Sequence, residues 1–272
     1  MRSLILTLFT TWFFLLPAIS SAQYQENSPW PMQATAFSGM PATLSTDEIL
    51  SRMERRFETQ LRTLASYQAR RIYSVEHGLL GDPNTLVVEE QYSAPGERKF
   101  QILDRGGSSV VQERVFSRLL EVEQATTPEA IRRDLDLNRR NYRFTFESYD
   151  PAAEAYVFAA EPRGSNPFML RGKIWINDRD FGIERIEGEP VERHSSFVRR
   201  THFVHEFARF GEFWLPVRHR SETDLFLLGR AILRIEYSNY RWQVKRGTHP
   251  HQEMNEQQQQ ARQQLTKQEK HP

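Results

Sequence analysis

From Tyr142 to Trp242 the chain reads as one strand after another, roughly six or seven in all, broken only by turns. Tyr142, Phe144 and Phe146 alternate with Arg143, Thr145 and Glu147, which puts three aromatic rings on one face. Tyr156 and Phe158 pair with them across the Asp150-Pro151 turn. Phe168 to Asn177 and Gly182 to Glu189 are joined by the short loop Asp178-Arg179-Asp180-Phe181. Phe197 to Phe207 and Glu212 to Asp224 meet at Arg209-Phe210-Gly211, and Arg230 to Trp242 closes the series. In the penultimate strand Leu215, Val217, His219, Ser221 and Thr223 share a face, and the other carries Arg218, Arg220, Glu222 and Asp224. One face of such a strand is buried and the other is wet. A meander of this length builds a curved antiparallel sheet.

The segments before it supply covers and further strands. Ser45 caps a helix, with Glu48 as capping-box partner and Leu44 and Ile49 as a hydrophobic staple. Ile49, Leu50, Met53, Phe57, Leu61 and Leu64 then form one apolar stripe, which places the helix across a face of the sheet. Strands are expected at Tyr67 to His77, Thr85 to Ser93 and Arg98 to Asp104, separated by Gly78, Gly81-Asp82-Pro83 and Pro95-Gly96. Between Ser108 and Asn141 the period becomes helical, with Val111, Val115, Leu119 and Val122, then Pro128, Ile131, Leu135 and Leu137. An insert between two runs of strands is where a cavity cover sits.

The ends differ from this body. Met1-Arg2-Ser3, the apolar run Leu4 to Leu16 and Ser20-Ser21-Ala22 read as a cleavable secretory signal, residues 1–22, because Pro17 ends the run before it is long enough to span a bilayer. Residues 23–43 are rich in Pro, Ser, Gln and Ala and read as a disordered spacer; residues 244–272, with Gln257 to Gln260, read as a disordered tail. The folded domain is then 44–243. The chain has no cysteine, which excludes disulfides, thiolate sites and a lipid-modified cysteine anchor. Its 36 Lys and Arg nearly cancel 35 Asp and Glu, so no single-sign field points to nucleic acid. An exported, cysteine-free, charge-balanced domain suits the bacterial periplasm, with release from the cell as the alternative, and is not an integral membrane protein.

Few residues suggest chemistry. His202 and His205 are separated by an odd number along a strand and face opposite ways, so they do not chelate one ion. His249 and His251 fall in the tail. Asp178 with Asp180, or Glu184 with Glu187 and Glu189, have the composition of a glycosidase pair, although acidic residues in turns and on wet strand faces are commonplace. No nucleophile elbow, phosphate loop or dinucleotide fingerprint is present, and no cofactor or metal is implied. What remains is the apolar surface of the inner face: Phe144, Phe146, Phe158, Phe203, Leu215, Val217, Leu233 and Ile235. Burying an acyl chain contributes about 0.8 kcal/mol per methylene, so about fifteen methylenes gain on the order of 12 kcal/mol before entropy costs. A lipid carrier therefore needs no polar signature. The bland alternative is that these side chains pack under the helices.

The helix Glu48 to Leu64, the strand pair Gly172-Lys173-Ile174-Trp175-Ile176-Asn177 and Phe181-Gly182-Ile183-Glu184-Arg185-Ile186, and the segment Gly211-Glu212-Phe213-Trp214-Leu215-Pro216 together resemble the superfamily of outer-membrane lipoprotein-sorting proteins with the LolA-like fold. That resemblance covers most of 44–243. It implies an α+β domain, an unclosed barrel of strongly curved antiparallel sheet covered by helices, with an apolar cavity for the acyl chain of a lipoprotein or lipid. It also implies a transient inner- or outer-membrane partner protein. The Gln-rich tail is not typical of the family. Two other classes stand beside this carrier or sensor: an exported enzyme using the inner face, with His219 as acid or base, and an adaptor module with a solid core.

Overall fold

The computed structural model describes residues 44–78, 84–124, 136–164, 169–191, 198–227 and 229–245. The expected signal, the spacer and the tail beyond Lys245 lie outside the described residues, as do the expected turn at Pro128, Ile131 and Leu135, the start of the Phe168 strand, and Phe197.

Helix α1, Thr46–Thr63, begins as the capping residues require: Ser45 Oγ accepts from the Glu48 amide at 3.2 Å, and Asp47 and Glu48 sit in the first turn. Among the described residues ten strands follow: β1 Leu64–His77, β2 Asn84–Ser93, β3 Glu97–Gly106, β4 Tyr142–Asp150, β5 Ala155–Pro162, β6 Leu170–Asn177, β7 Ile183–Pro190, β8 Val198–Phe210, β9 Phe213–Leu225 and β10 Gly229–Val244. Between β3 and β4 the segments Ser109–Val111, Gln112–Ser117 and Arg118–Gln124 make one continuous helix, α2, whose middle is π-helical.

The strands form one antiparallel sheet in the order β3-β2-β1-β10-β9-β8-β7-β6-β5-β4. The expected curved, unclosed antiparallel sheet under helices is the fold observed. The first and last strands are neighbours, third and fourth from one edge, with Leu64 opposite Val244 and His77 opposite Ala231, and among the described strands the free edges are β3 and β4. The expected strands run longer than their alternation suggests, because ladder pairing continues after the apolar pattern stops: β8 reaches Phe210, so its turn is Gly211-Glu212, and β10 reaches Val244.

Alternation delivers the inner face. Phe146 lies opposite Phe158, their rings edge to face at 5.5 Å, and a bulge after Phe146 brings Tyr149 opposite Tyr156. Val217 departs from the expected pattern. It is the extra residue of a bulge where Phe207 pairs with Pro216 and Glu206 with Arg218, and it is only half-buried while Leu215 and His219 are buried. Of the expected α2 stripe, Val111 and Leu119 are buried and Val115 is not, while the Val122 side chain lies outside the described residues. The π turn inserts a residue into the helical repeat, so Phe116, Leu119, Leu120 and Glu123 are buried and Val115 is left half-buried.

α1 is held at its middle and near its C-terminal end. Arg139, just before β4, donates from its backbone and guanidinium to Glu54, with a 2.7 Å ion pair that holds the Glu54 carboxyl below its usual range despite burial. Gln60 substitutes for a strand neighbour: its Nε2 donates to the Trp214 carbonyl at 2.9 Å and its Oε1 accepts from the Trp214 amide at 2.8 Å.

Candidate functional site

Two helices cover the inner face, and each covers its own apolar cluster. Ile49, Leu50 and Met53 of α1 pack on Tyr142, Tyr156, Phe158, Ile174, Ile176 and Phe203. Val111, Phe116, Leu119 and Leu120 of α2 pack on Tyr73, Val75, Leu86, Val88, Leu233, Ile235 and Tyr237. A third cluster, with Leu64, Tyr67, Tyr92, Phe213 and Leu215, lies between them. The eight residues expected to line a cavity are divided among these groups. Phe144, Phe146, Phe158 and Phe203 are under α1, Leu233 and Ile235 are under α2, and Leu215 is in the third cluster. Val217 belongs to none of them.

A partly open apolar pocket of about 40 Å³ does occur, between Met53, Phe57, Phe181, Ile186, Phe207 and Trp214, but none of the eight lines it. It is small beside the roughly 300–1,000 Å³ of small-molecule pockets. Its wall includes a polar corner in which Trp214 Nε1 donates to Asp180 at 3.1 Å and Arg56 lies 3.5 Å from the same carboxylate. A wider, open groove of about 610 Å³ runs over β6, β7 and β8, between Arg171, Lys173, Glu187, Glu189, Arg200 and His202.

The most unusual chemistry lies under α2. Arg71 of β1 forks onto Glu90 of β2 through Nε and Nη2, at 2.7 and 2.6 Å, and its Nη1 donates to Glu123 of α2 at 2.5 Å and to the Tyr73 hydroxyl at 2.9 Å. Arg98 of edge strand β3 reaches Glu90 with Nη1 at 3.1 Å and lies 3.5 Å from Glu123. The Tyr67 hydroxyl donates to Glu90. All four charged side chains are buried to within a few per cent. Burial by itself would lower the Arg71 pKa; Glu123 and Glu90 reverse this and hold it well above its usual value. Burial drives the Tyr67 and Tyr73 hydroxyls well above theirs. Arg98 Nε and Nη2 have no hydrogen-bond partner among the described residues.

Beside this network two imidazoles meet across the β8–β9 ladder. His205 and His219 are register partners, both buried, with their Nδ1 atoms 3.3 Å apart. Burial depresses the His219 pKa to about 3; burial, His219 and then the Arg71 charge push His205 well below its usual value. Both are therefore neutral at pH 7, and neither borders the two cavities above. His202 lies on the opposite face, 3.2 Å from Glu187, as the odd spacing requires. The other sequence candidates do not converge. Asp178 accepts from the Tyr149 hydroxyl, Asp180 from Trp214, Glu184 from Asn177 and Glu189 from Arg200. Among the described residues no three metal-ligating side chains gather, and no helix is long and apolar enough to cross a membrane.

Sequence reasoning missed the ion network, though a signal existed. In β2 the inward series Leu86, Val88, Tyr92 is interrupted by Glu90, and in β1 the series Ala69, Tyr73, Val75 is interrupted by Arg71. A charge at an inward parity position needs a partner, and each of these supplies the other's. Glu123 gave no such signal, because the π turn determines which side of α2 faces in.

No protein-family model and no curated protein matches the chain. In structure it is similar to an outer membrane lipoprotein-sorting protein domain from Vibrio parahaemolyticus, at 10% identity and a TM-score of 0.42, covering 74% of this chain and 94% of that one. It is also similar to a LolA superfamily protein from Nitrosomonas europaea, at 12% identity and a TM-score of 0.39, covering 73% and 94%. A third is a DUF1329 family protein from Desulfovibrio piger, at 10% identity and a TM-score of 0.40, covering 71% and 92%.

Proposed function

We propose that this protein is a periplasmic, non-enzymatic carrier or sensor that takes an acyl chain or other apolar ligand onto the inner face of its sheet, with α2 as the movable cover. One observation carries the reading: the seam between α2 and the sheet combines apolar side chains with the Arg71–Glu90–Arg98–Glu123 network. A permanent core has little use for such a network, since well-packed apolar replacements for buried ion pairs are often neutral or stabilising. A removable cover has a use for it. When α2 lifts, the four charges regain water, which offsets part of the cost of exposing Tyr73, Val75, Leu86, Val88, Leu233 and Ile235. The 40 Å³ pocket beside α1 is too small for an acyl chain, so in this reading ligand entry goes with movement of a helix. A delivery or signalling partner would meet the protein while the cover is displaced.

The smallness of that cavity favours a second reading, an adaptor with a packed core. Titration of the full chain with a fluorescent fatty-acid probe separates the two. A carrier shows saturable binding of one probe per protein, strengthened in Glu123→Gln, where the cover loses its charged anchor. Absence of saturable binding by natively folded protein refutes the carrier and leaves the adaptor.

A further inference from the structure

We propose that the ligand's polar end is a carboxylate, and that it takes the place of Glu123 between Arg71 and Arg98; this rests on the carrier reading above. Three members of the network, Arg71, Glu90 and Arg98, belong to adjacent strands β1, β2 and β3, and only Glu123 belongs to the cover. Glu90 is fully engaged by the sheet itself. It receives the Arg71 fork, Arg98 Nη1 and the Tyr67 hydroxyl. Glu123 is the separable carboxylate, held through Oε2 by Arg71 Nη1 at 2.5 Å.

Displacing α2 therefore leaves two guanidinium groups facing one carboxylate. The Arg71 Nη1 and Tyr73 hydroxyl hydrogens that now face Glu123 are released, beside Arg98 Nε and Nη2, which already have no partner among the described residues in a side chain only 1% exposed. Arg98 Nη1, 3.5 Å from Glu123, already reaches that place, and the buried, unsatisfied Nε and Nη2 leave the same guanidinium with donors to spare for a carboxylate. The apolar residues that α2 uncovers adjoin this point. Tyr73 belongs both to the network and to the cluster under α2, and Phe100 packs against that cluster while lying 5.1 Å from the Arg71 guanidinium. α2 itself presents an apolar side, Val111 to Leu120, ending in one carboxylate, Glu123. Chemically this is the outline of a long-chain fatty acid, with the helix occupying the ligand's place in the closed protein.

The test compares oleate with oleyl alcohol, which share a hydrocarbon chain and differ in the charge of the head, on the full-length protein by calorimetry. Oleate is expected to bind roughly tenfold or more tightly than the alcohol. Arg98→Met should remove that advantage while leaving the alcohol's affinity within about twofold. Glu123→Gln should strengthen oleate binding and preserve the advantage, since the internal competitor is gone. Equal affinities, or a preference for the alcohol, overturn the carboxylate assignment and leave the carrier reading standing. Failure of both amphiphiles to bind overturns the carrier reading, and this inference with it. Should Arg98→Met fail to fold, the wild-type pair decides alone.

Discussion

Lowering the pH from 7 to 5 should destabilise this protein through two histidines that the folded chain keeps unprotonated. His219 has a folded pKa of about 3 because burial penalises its charge, and burial, His219 and Arg71 together hold His205 well below its usual value. In the unfolded chain each returns to about 6.5. The unfolded state then binds protons that the folded state does not, so stability present above pH 6.5 is lost progressively as the pH falls toward the folded pKa. Between pH 7 and pH 5 the loss is about 2 kcal/mol for His219, and His205 adds to it in the same direction. That is a sizeable share of the roughly 5–15 kcal/mol typical of a domain. At roughly 2–4 °C per kcal/mol for a domain of this size, the melting temperature should drop by at least about 4–8 °C. Thermal unfolding followed by circular dichroism at the two pH values measures this. The control is the double variant His205→Gln, His219→Gln, whose melting temperature should be nearly level over the same range whatever its absolute stability. An equal drop in wild type and variant would place the acid sensitivity elsewhere. No drop in the wild type would mean that the imidazoles reach water.

Two substitutions test how the inner face is packed. Phe158→Ala removes a fully buried ring that meets Phe146 edge to face beneath α1, and should cost about 3–5 kcal/mol in urea unfolding; a loss below 1 kcal/mol would show that the site is an open cavity wall. Gly172→Ala places a Cβ 2.0 Å from the Glu187 carbonyl oxygen and 2.6 Å from Gly188 Cα, so β6 and β7 must part. The expected cost is about 3 kcal/mol, and an unchanged urea midpoint would contradict the close approach of the two strands.

Much of the architecture was legible because alternation and capping are local. Ser45 and Glu48 marked the start of α1, Tyr142, Phe144 and Phe146 marked an inward face, and the odd spacing of His202 and His205 set them on opposite sides of β8. Each of these follows from the backbone repeat of one element. The function classes were bounded in the same way, by an inner face dominated by apolar side chains and by a cysteine-free, charge-balanced composition.

Tertiary structure decided how those faces meet. β1 lies against β10, at the far end of the domain, and this neighbour relation brings Arg71 near the His205–His219 pair; no local pattern encodes it, because strand order is chosen by the whole sheet. The bulge opposite Phe207 turned Val217 half out of the inward series that alternation had given it. The π turn in α2 moved Glu123 into the interior, where Arg71 and Arg98 receive it. Of the eight apolar residues expected on the inner face, seven are divided among three clusters and Val217 belongs to none of them. Parity along an unbroken stretch of strand is fixed by the covalent chain, so sequence alone shows which side chains share a face. Register, bulges and the phase of a covering helix are fixed by contacts between residues distant in the chain, so only the folded protein determines what each inward side chain touches.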